Sequence, residues 1–461
     1  MNSDFLQFAQ QKYRHQKILL WGMGVTGKSA LAFFNDLHVV CDVLNRDEIS
    51  LGQLSFGRFW KEDELLKAKD FPSYDLIIKS PGIPQDHPLV EKLKHSSLHF
   101  TSDIEEALSL FPSETPLVAI TGSNGKTTTV NLLFDATKRI EGLRPFLGGN
   151  VGTPLFDILR TAQNLPNLLI LELSSFQLEY VEKMRPTIAA ILNLTPTHGE
   201  RYPNYKSYIE AKLNIAKKMT KEGTLFVNEK FFEELKKEEI TFERKGPIEI
   251  YDSPAQKQSF AKKLDLTSFK LLGEHNRSNL MVIDEIFKKM NWPLSALQKT
   301  VNSFQAPPHR CEYIGENDKI VVYNDSKSTN FSSTLEALKA VKEKHSCLVT
   351  LILGGKLRDK SEELKVDDLI AKREMIDVIY LVGESTDPLW EKLSTSLSVL
   401  PTGLLNRTLQ DIQEKLPLRH QKVVLLFSPA FPSFDLYKNY EHRGEEFVKE
   451  VRHFFPDLKL T

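Results

Sequence analysis

Cysteine is almost absent: Cys41, Cys311 and Cys347 are the only three in 461 residues. Three lone, widely spaced thiols build neither a disulfide framework nor a zinc site, and they point to a reducing compartment, the cytoplasm. Long apolar runs are missing as well. None approaches the roughly 18 residues of a membrane span, and the most apolar stretches, such as Val423–Phe427, are strand length. Neither sign of charge is in excess, since 60 Lys and Arg face 61 Asp and Glu for a net charge of -1. That balance argues against a dedicated nucleic-acid binder, which carries a basic surplus. The opening segment Met1–Gln16 has no apolar core and no small-residue cleavage site, so no signal peptide is expected. Internal repeats and low-complexity tracts are also lacking. What remains, 41% hydrophobic and 26% charged, is the composition of a soluble globular chain. At roughly 150 residues per domain its length suggests about three domains.

The recurring unit is a short apolar, β-branched run followed by a helical pattern, the signature of α/β chemistry with mostly parallel sheets. Strands are expected at Lys17–Trp21, Val39–Leu44, Asp75–Ile78, Leu117–Ile120, Leu168–Leu171 and Ile188–Asn193. Further ones are expected at Thr224–Val227, Lys319–Tyr323, Leu348–Leu353, Val378–Val382 and Val423–Phe427. Two proline-bearing segments, Phe111–Pro116 and Phe304–His309, read as stiff linkers. They suggest three domains at 1–112, 113–307 and 308–461. The charged stretch Phe231–Lys245 reads as a solvated helical face.

The sharpest local signal is Thr121-Gly122-Ser123-Asn124-Gly125-Lys126-Thr127-Thr128, between an apolar strand and a helical pattern over Thr129–Lys138. A glycine turn there exposes backbone N–H groups at a helix N-terminus, which suits a polyphosphate. Lys126 would reach the β- and γ-phosphates and the Thr127 hydroxyl would hold Mg²⁺. The first glycine of the Walker pattern is replaced by Ile120, so the loop is a variant in which Gly122 remains. A second loop, Gly22-Met23-Gly24-Val25-Thr26-Gly27, completes G-x-G-x-x-G after a strand. The position that would grip a ribose in a dinucleotide site holds Asn45 instead of an acid, which weakens an NAD reading and leaves a phosphate or nucleotide site of some kind.

Other polar groups gather at expected strand ends. Glu172 follows Leu168–Leu171 and His198 follows Ile188–Asn193, so Lys126, Glu172 and His198 could converge at one sheet edge. Lys212, in a helical stretch, reads as a surface lysine on sequence physics alone. Asn324–Asn330, Gly354–Lys360 and Ser428–Asp435 are three more polar loops after strands, and together they suggest a second substrate site, although Asp325 or Asn330 could equally cap a helix.

In their order along the chain these motifs resemble the Mur ligases over essentially the whole length. The resemblance rests on Ser80-Pro81-Gly82-Ile83, Thr121–Thr128, Glu172–Glu179, Gly273-Glu274-His275-Asn276, Pro308-His309-Arg310, Asn324–Asn330 and Ser428–Asp435. Two strings, Ser174-Ser175-Phe176-Gln177-Leu178-Glu179 and Asn324-Asp325-Ser326-Lys327-Ser328-Thr329-Asn330, look like the branch that adds D-glutamate. The resemblance implies an N-terminal Rossmann-like domain for a uridine nucleotide, a central P-loop domain for ATP and a C-terminal Rossmann-like domain for the amino acid. It implies ATP and two Mg²⁺ ions as cofactors, UDP-N-acetylmuramoyl-L-alanine and D-glutamate as substrates, an acyl-phosphate intermediate, and a monomer.

By matching position, the resemblance assigns catalysis to Lys126, His198 and Lys212. It puts ATP on Gly122, Ser123, Asn124, Gly125, Lys126, Thr127, Thr128, Asn276, Arg310 and Asp325. The uridine substrate falls to Gly24, Val25, Thr26, Asn45, Arg46, Ser80, Pro81, Gly82, Asn150 and Ser174. D-Glutamate falls to Lys327, Thr329, Lys360, Ser433, Phe434 and Tyr440. Metal falls to Thr127, Glu172, His198 and Lys212, the last as a carbamylated lysine, which reverses the surface reading. The chain departs from the family at Thr197, where an acid is usual and Glu200 could substitute, and at Tyr440, where Phe is familiar. Asn45-Arg46 replaces an acid–hydroxyl pair, and a longer glycine loop leaves Lys356 and Lys360 as alternatives. Competing readings are another amide-forming ATP ligase, folylpolyglutamate synthase-like or of a different Mur type, and a nucleotide sensor without turnover.

Overall fold

A computed structural model describes residues 3–68, 72–195, 199, 201–242, 244–305, 307–357 and 366–460. The fold is mixed α/β. A first sheet, wholly parallel, contains β1 (Ile18–Trp21), β2 (Cys41–Asn45), β3 (Phe59–Lys61), β4 (Tyr74–Lys79) and β5 (Ser97–Ser102) in the order β3-β2-β1-β4-β5. A second, also parallel, contains β6 (Leu117–Thr121), β7 (Pro145–Gly149), β8 (Leu168–Glu172), β9 (Ile188–Ile191), β10 (Thr224–Asn228) and β11 (Ile248–Tyr251) in the order β11-β10-β9-β6-β8-β7.

The third sheet holds β12 (Glu312–Glu316), β13 (Ile320–Asn324), β14 (Val349–Gly354), β15 (Ile376–Val382), β16 (Val399–Gly403), β17 (Val423–Phe427) and β18 (Lys459–Leu460), ordered β16-β15-β14-β17-β13-β12-β18. It is parallel except where β12 runs antiparallel to β13 and β18.

Each central strand is an apolar run buried on both faces, as β6, β8, β9, β13 and β17 show, which is what helices covering both sides of a parallel sheet demand. Residue contacts divide the chain into two compact units, one of 1–267 with 279–302 and the other of 268–278 with 303–461. The first unit carries the first two sheets, joined by a shared core in which Phe33 and Phe34 pack on Phe156. Asp36 also pairs with Arg160 at 2.8 Å. The Phe111–Pro116 segment therefore lies inside this unit, with Phe111 buried, whereas the Phe304–His309 segment falls at the change of unit.

All eleven expected strands form. Two helical expectations need correction. The helix after the phosphate loop runs Lys126–Thr137, so the lysine is its first residue. Among the described residues the Phe231–Lys245 stretch is helical only as part of Glu229–Lys237, and that helix buries Phe231 and Leu235 instead of being wholly solvated. Glu239 takes a φ of 51°, a left-handed conformation that ends it.

Candidate functional site

The loops of interest leave the C-terminal edges of the sheets, where open α/β sheets gather ligands. In the second sheet the loop after β6 is clasped by the segment after β9. Asn193 accepts from the Asn124 N–H at 2.9 Å and donates to its carbonyl at 3.0 Å. The Ser123 hydroxyl takes the Thr195 N–H at 2.9 Å and meets the Tyr208 hydroxyl at 3.0 Å. Gly125 has φ 82°, and a Cβ there would stand 2.7 Å from Asn279 Oδ1, so glycine is needed twice over. Lys126 opens the helix and folds its ammonium back onto the carbonyls of Gly122 (2.8 Å) and Ser123 (3.0 Å). That places a cation and a helix N-terminus at one point, an anion site.

Lys212 is the surprise to sequence physics: it is 2% exposed. Its helix, Tyr205–Leu213, is capped by Asn204 and turns the ammonium toward Thr121 Oγ1 (3.1 Å) and the Gly122 carbonyl (3.0 Å). Burial, and then repulsion from Lys126, hold its pKa well below the ordinary lysine value, with Glu172 opposing. Glu172 ends β8 at 1% exposure. Its Oε1 accepts from Asn150 Nδ2 at 2.9 Å, while its Oε2 is buried without a hydrogen-bond partner. A buried carboxylate oxygen without a partner, close enough to Lys212 to act on its charge, is what a divalent cation would complete, so the donor set fits Mg²⁺. Among the described residues no cluster of three or more His, Cys, Asp and Glu is assembled. His198, with Thr197 and Glu200, lies outside the described residues, and so does Lys360.

In the first sheet the strand order reverses between β1 and β4, and the loops after both meet there. The Ser80 N–H bonds the Trp21 carbonyl at 2.8 Å, and a Cβ on Gly22 would press on Ser80 Cβ at 2.7 Å. Thr26 donates to the buried Asp103, and Val25 stands 76% exposed at the start of its helix. Asn45 Oδ1 accepts from Met23 N–H at 3.1 Å while its amide bonds the Asp47 carbonyl at 2.8 Å, so this side chain braces the glycine loop. Arg46 is exposed. Ser174 is likewise engaged, in a capping box with Gln177.

In the second unit Arg443 is the organiser, and no sequence pattern singled it out. Only 2% exposed, it donates to the Ser326 hydroxyl (3.0 Å), the Ser326 carbonyl (2.7 Å) and the Phe431 carbonyl (2.9 Å). The Gly354 N–H joins the Pro429 carbonyl at 2.8 Å, so the three polar loops after β13, β14 and β17 do converge. Asp325 accepts from Ser428 Oγ at 2.7 Å and the Cys311 N–H at 2.9 Å, and burial raises its pKa to about 6. The Lys327 ammonium lies 3.9 Å from the Tyr440 ring centre. Ser433 is buried and Phe434 is 63% exposed beside it in the chain. Asn330 caps the helix Phe331–Lys344, and Asn276 Nδ2 binds the Leu272 carbonyl at 2.7 Å. Lys356 is exposed.

A cavity of about 360 Å³ lies elsewhere, at the N-terminal edge of the second sheet, between Phe5, Arg144 and the 159–167 turn.

The middle of the chain, residues 120–283, matches the Mur ligase middle domain. A UDP-N-acetylmuramoylalanine–D-glutamate ligase of Trichlorobacter lovleyi is 32% identical over 83% of this chain and 85% of its own. The corresponding ligase of Chlamydia felis is also 32% identical, over 95% of this chain and 98% of its own. The chain belongs to this ligase family. Among solved structures, the MurF ligase of Thermotoga maritima in complex with ADP has a TM-score of 0.59 at 14% identity, covering 98% of this chain and 99% of its own. At that identity the likeness concerns the fold alone. Membership in the D-glutamate ligase family agrees with the two strings that pointed to that branch. No helix among the described residues is long and apolar enough to cross a membrane.

Proposed function

We propose that this chain is an ATP-dependent ligase that joins D-glutamate to UDP-N-acetylmuramoyl-L-alanine through an acyl phosphate, in the synthesis of peptidoglycan precursor. The observation that carries the reading is the cluster at the second sheet's edge, where Lys126 and the buried Lys212 bind the phosphate-loop carbonyl of Gly122 beside the buried, unpartnered oxygen of Glu172. Three domains, 1–112, 113–307 and 308–461, divide the work between the uridine nucleotide, ATP and the amino acid.

The loop Gly122–Thr128 offers N–H groups and the helix N-terminus to the triphosphate, and Lys126 turns from its own carbonyls to the β- and γ-phosphates. Asn276, Arg310 and Asp325 contact the nucleotide, Asp325 as a ribose acceptor. The loops Gly24–Thr26 and Ser80–Gly82, with Asn45 and Arg46, hold the uridine diphosphate, while Asn150 and Ser174 flank the muramoyl group. The substrate carboxylate attacks the γ-phosphorus and ADP leaves. The amine of D-glutamate, held by Lys327, Thr329, Ser433, Phe434, Tyr440 and a lysine of the Gly354 loop, then attacks the acyl carbon. The tetrahedral adduct collapses with loss of phosphate. Lysines and hydroxyls suit an amino acid that brings two carboxylates.

Mg²⁺ bound by Thr127, Glu172, His198 and a carbamylated Lys212 would screen the repulsion between carboxylate and triphosphate. A buried amine beside another cation is disposed to stay neutral, the form that adds to CO2 with loss of a proton. Borohydride trapping tests the first stage. With ATP and UDP-N-acetylmuramoyl-L-alanine but no amino acid, the reduced alcohol is expected, and its absence while ADP accumulates would overturn the acyl-phosphate route.

A further inference from the structure

The turn Ser80–Ile83 is held by two cations, one ending β4 and one in the chain between β9 and β10. Lys79, the last residue of β4, is fully enclosed. Its ammonium donates to the Ser80 carbonyl at 2.8 Å and the Ile83 carbonyl at 2.6 Å, and lies 3.5 Å from the ring centre of Tyr180. The same Ile83 carbonyl accepts from Arg201 Nη2 at 3.3 Å. Arg201 in turn is gripped by Glu179, through Nε at 3.1 Å and Nη2 at 2.5 Å, and Tyr202 also donates to Glu179 at 2.6 Å. Gln85, just past the turn, donates to the Glu179 carbonyl at 2.7 Å. One carbonyl thus joins the turn to Arg201 and, through it, to Glu179.

Both hydrogen bonds of Lys79 go to carbonyls, and its carboxylate neighbours Glu179 and Asp103 act on it only through space, with Arg201 opposing. Burial lowers its pKa to about 7. A buried ammonium compensated so weakly is a costly way to brace a surface turn, and a plain scaffold has cheaper means. Asp103, which acts on Lys79 through space, takes the hydrogen bond of Thr26 in the opposing glycine loop, so the device touches both loops at the point where the strand order reverses.

We propose that Lys79 and Arg201 are positioning residues for the uridine-nucleotide substrate, fixing the Ser80–Gly82 turn through the shared Ile83 carbonyl and registering it against Glu179. The inference rests on the reading of Gly24–Thr26 and Ser80–Gly82 as the uridine-diphosphate loops. Removing either cation loosens the turn without touching the phosphate loop.

The test uses the full chain with Lys79→Met, Arg201→Gln and the double variant. Steady-state rates are measured against UDP-N-acetylmuramoyl-L-alanine and against ATP, and binding of the uridine substrate is followed by calorimetry. Each single change is expected to raise KM for the uridine substrate about tenfold, with kcat within about twofold and KM for ATP unchanged. The double variant should be no worse than the weaker single one, because both act on one carbonyl. A fall in kcat at constant KM, the mark of a lost active fraction, would overturn the proposal, as would a double variant about a hundredfold impaired by independent effects. If wild type fails to bind the uridine substrate, the reading of the loops has failed; if wild type and Lys79→Met bind it equally, only this inference has. Should Lys79→Met not fold, Arg201→Gln decides by the same split of KM against kcat.

Discussion

At the edge of the second sheet two lysines, Lys126 and Lys212, converge on loop carbonyls with one carboxylate oxygen unpartnered. At the edge of the third sheet one guanidinium, Arg443, satisfies three acceptors and fastens loops that are otherwise held by backbone and hydroxyl bonds. The first arrangement leaves a buried carboxylate oxygen without a hydrogen-bond partner, the kind of atom a ligand completes. The second is closed on itself, and presents Lys327, Tyr440 and Phe434 from a finished frame. Substitutions at the first edge should therefore cost chemistry and spare the fold, while those at the second should cost both stability and amino-acid affinity.

The largest effect is expected for Lys126→Ala, with ADP release down by about a thousandfold or more and a melting temperature close to wild type. Wild-type-like ADP release would remove its phosphate role. Next comes Lys212→Ala, reduced on the order of a hundredfold and partly restored by short carboxylic acids, which return the missing carboxylate. Full activity without such rescue would end the carbamate reading. At the other edge, Arg443→Met should lose about 2–3 kcal/mol of stability and raise KM for D-glutamate more than KM for ATP. An unchanged unfolding midpoint would show that the loops hold without it.

The smallest effect concerns pH. Asp325 has a folded pKa of about 6 against an ordinary 3.8. Folding therefore binds a proton in that window, and the Asp325 contribution to stability declines as pH rises from about 3.8 to about 6. With Asp325 as the proposed ribose acceptor, the carboxylate is the binding form, so KM for ATP should climb as pH drops below about 6. Asp325→Asn should flatten that climb, and a KM equally pH-dependent in the variant would assign it elsewhere.

The strands legible in the sequence are those buried on both faces, because only there does the chain need an unbroken β-branched run. The seven strands the pattern did not show, β3, β5, β7, β11, β12, β16 and β18, include all six sheet edges. Edges are half exposed and tolerate polar, glycine and proline residues, as Ser97–Ser102, Pro145–Gly149 and Val399–Gly403 do. At the site, Lys126 and Glu172 announced themselves by following strands. Lys212 did not, since its burial depends on Thr121 and Gly122, about ninety positions away. Arg443 and Lys79 were equally hidden, because a cation that serves backbone carbonyls leaves no partner to find in the sequence.

An amino-acid panel with UDP-N-acetylmuramoyl-L-alanine and ATP, following release of inorganic phosphate, probes the whole reading at once. D-Glutamate alone should support sustained release. Turnover with L-amino acids or a folate and none with D-glutamate, or tight nucleotide binding without any turnover, would contradict it.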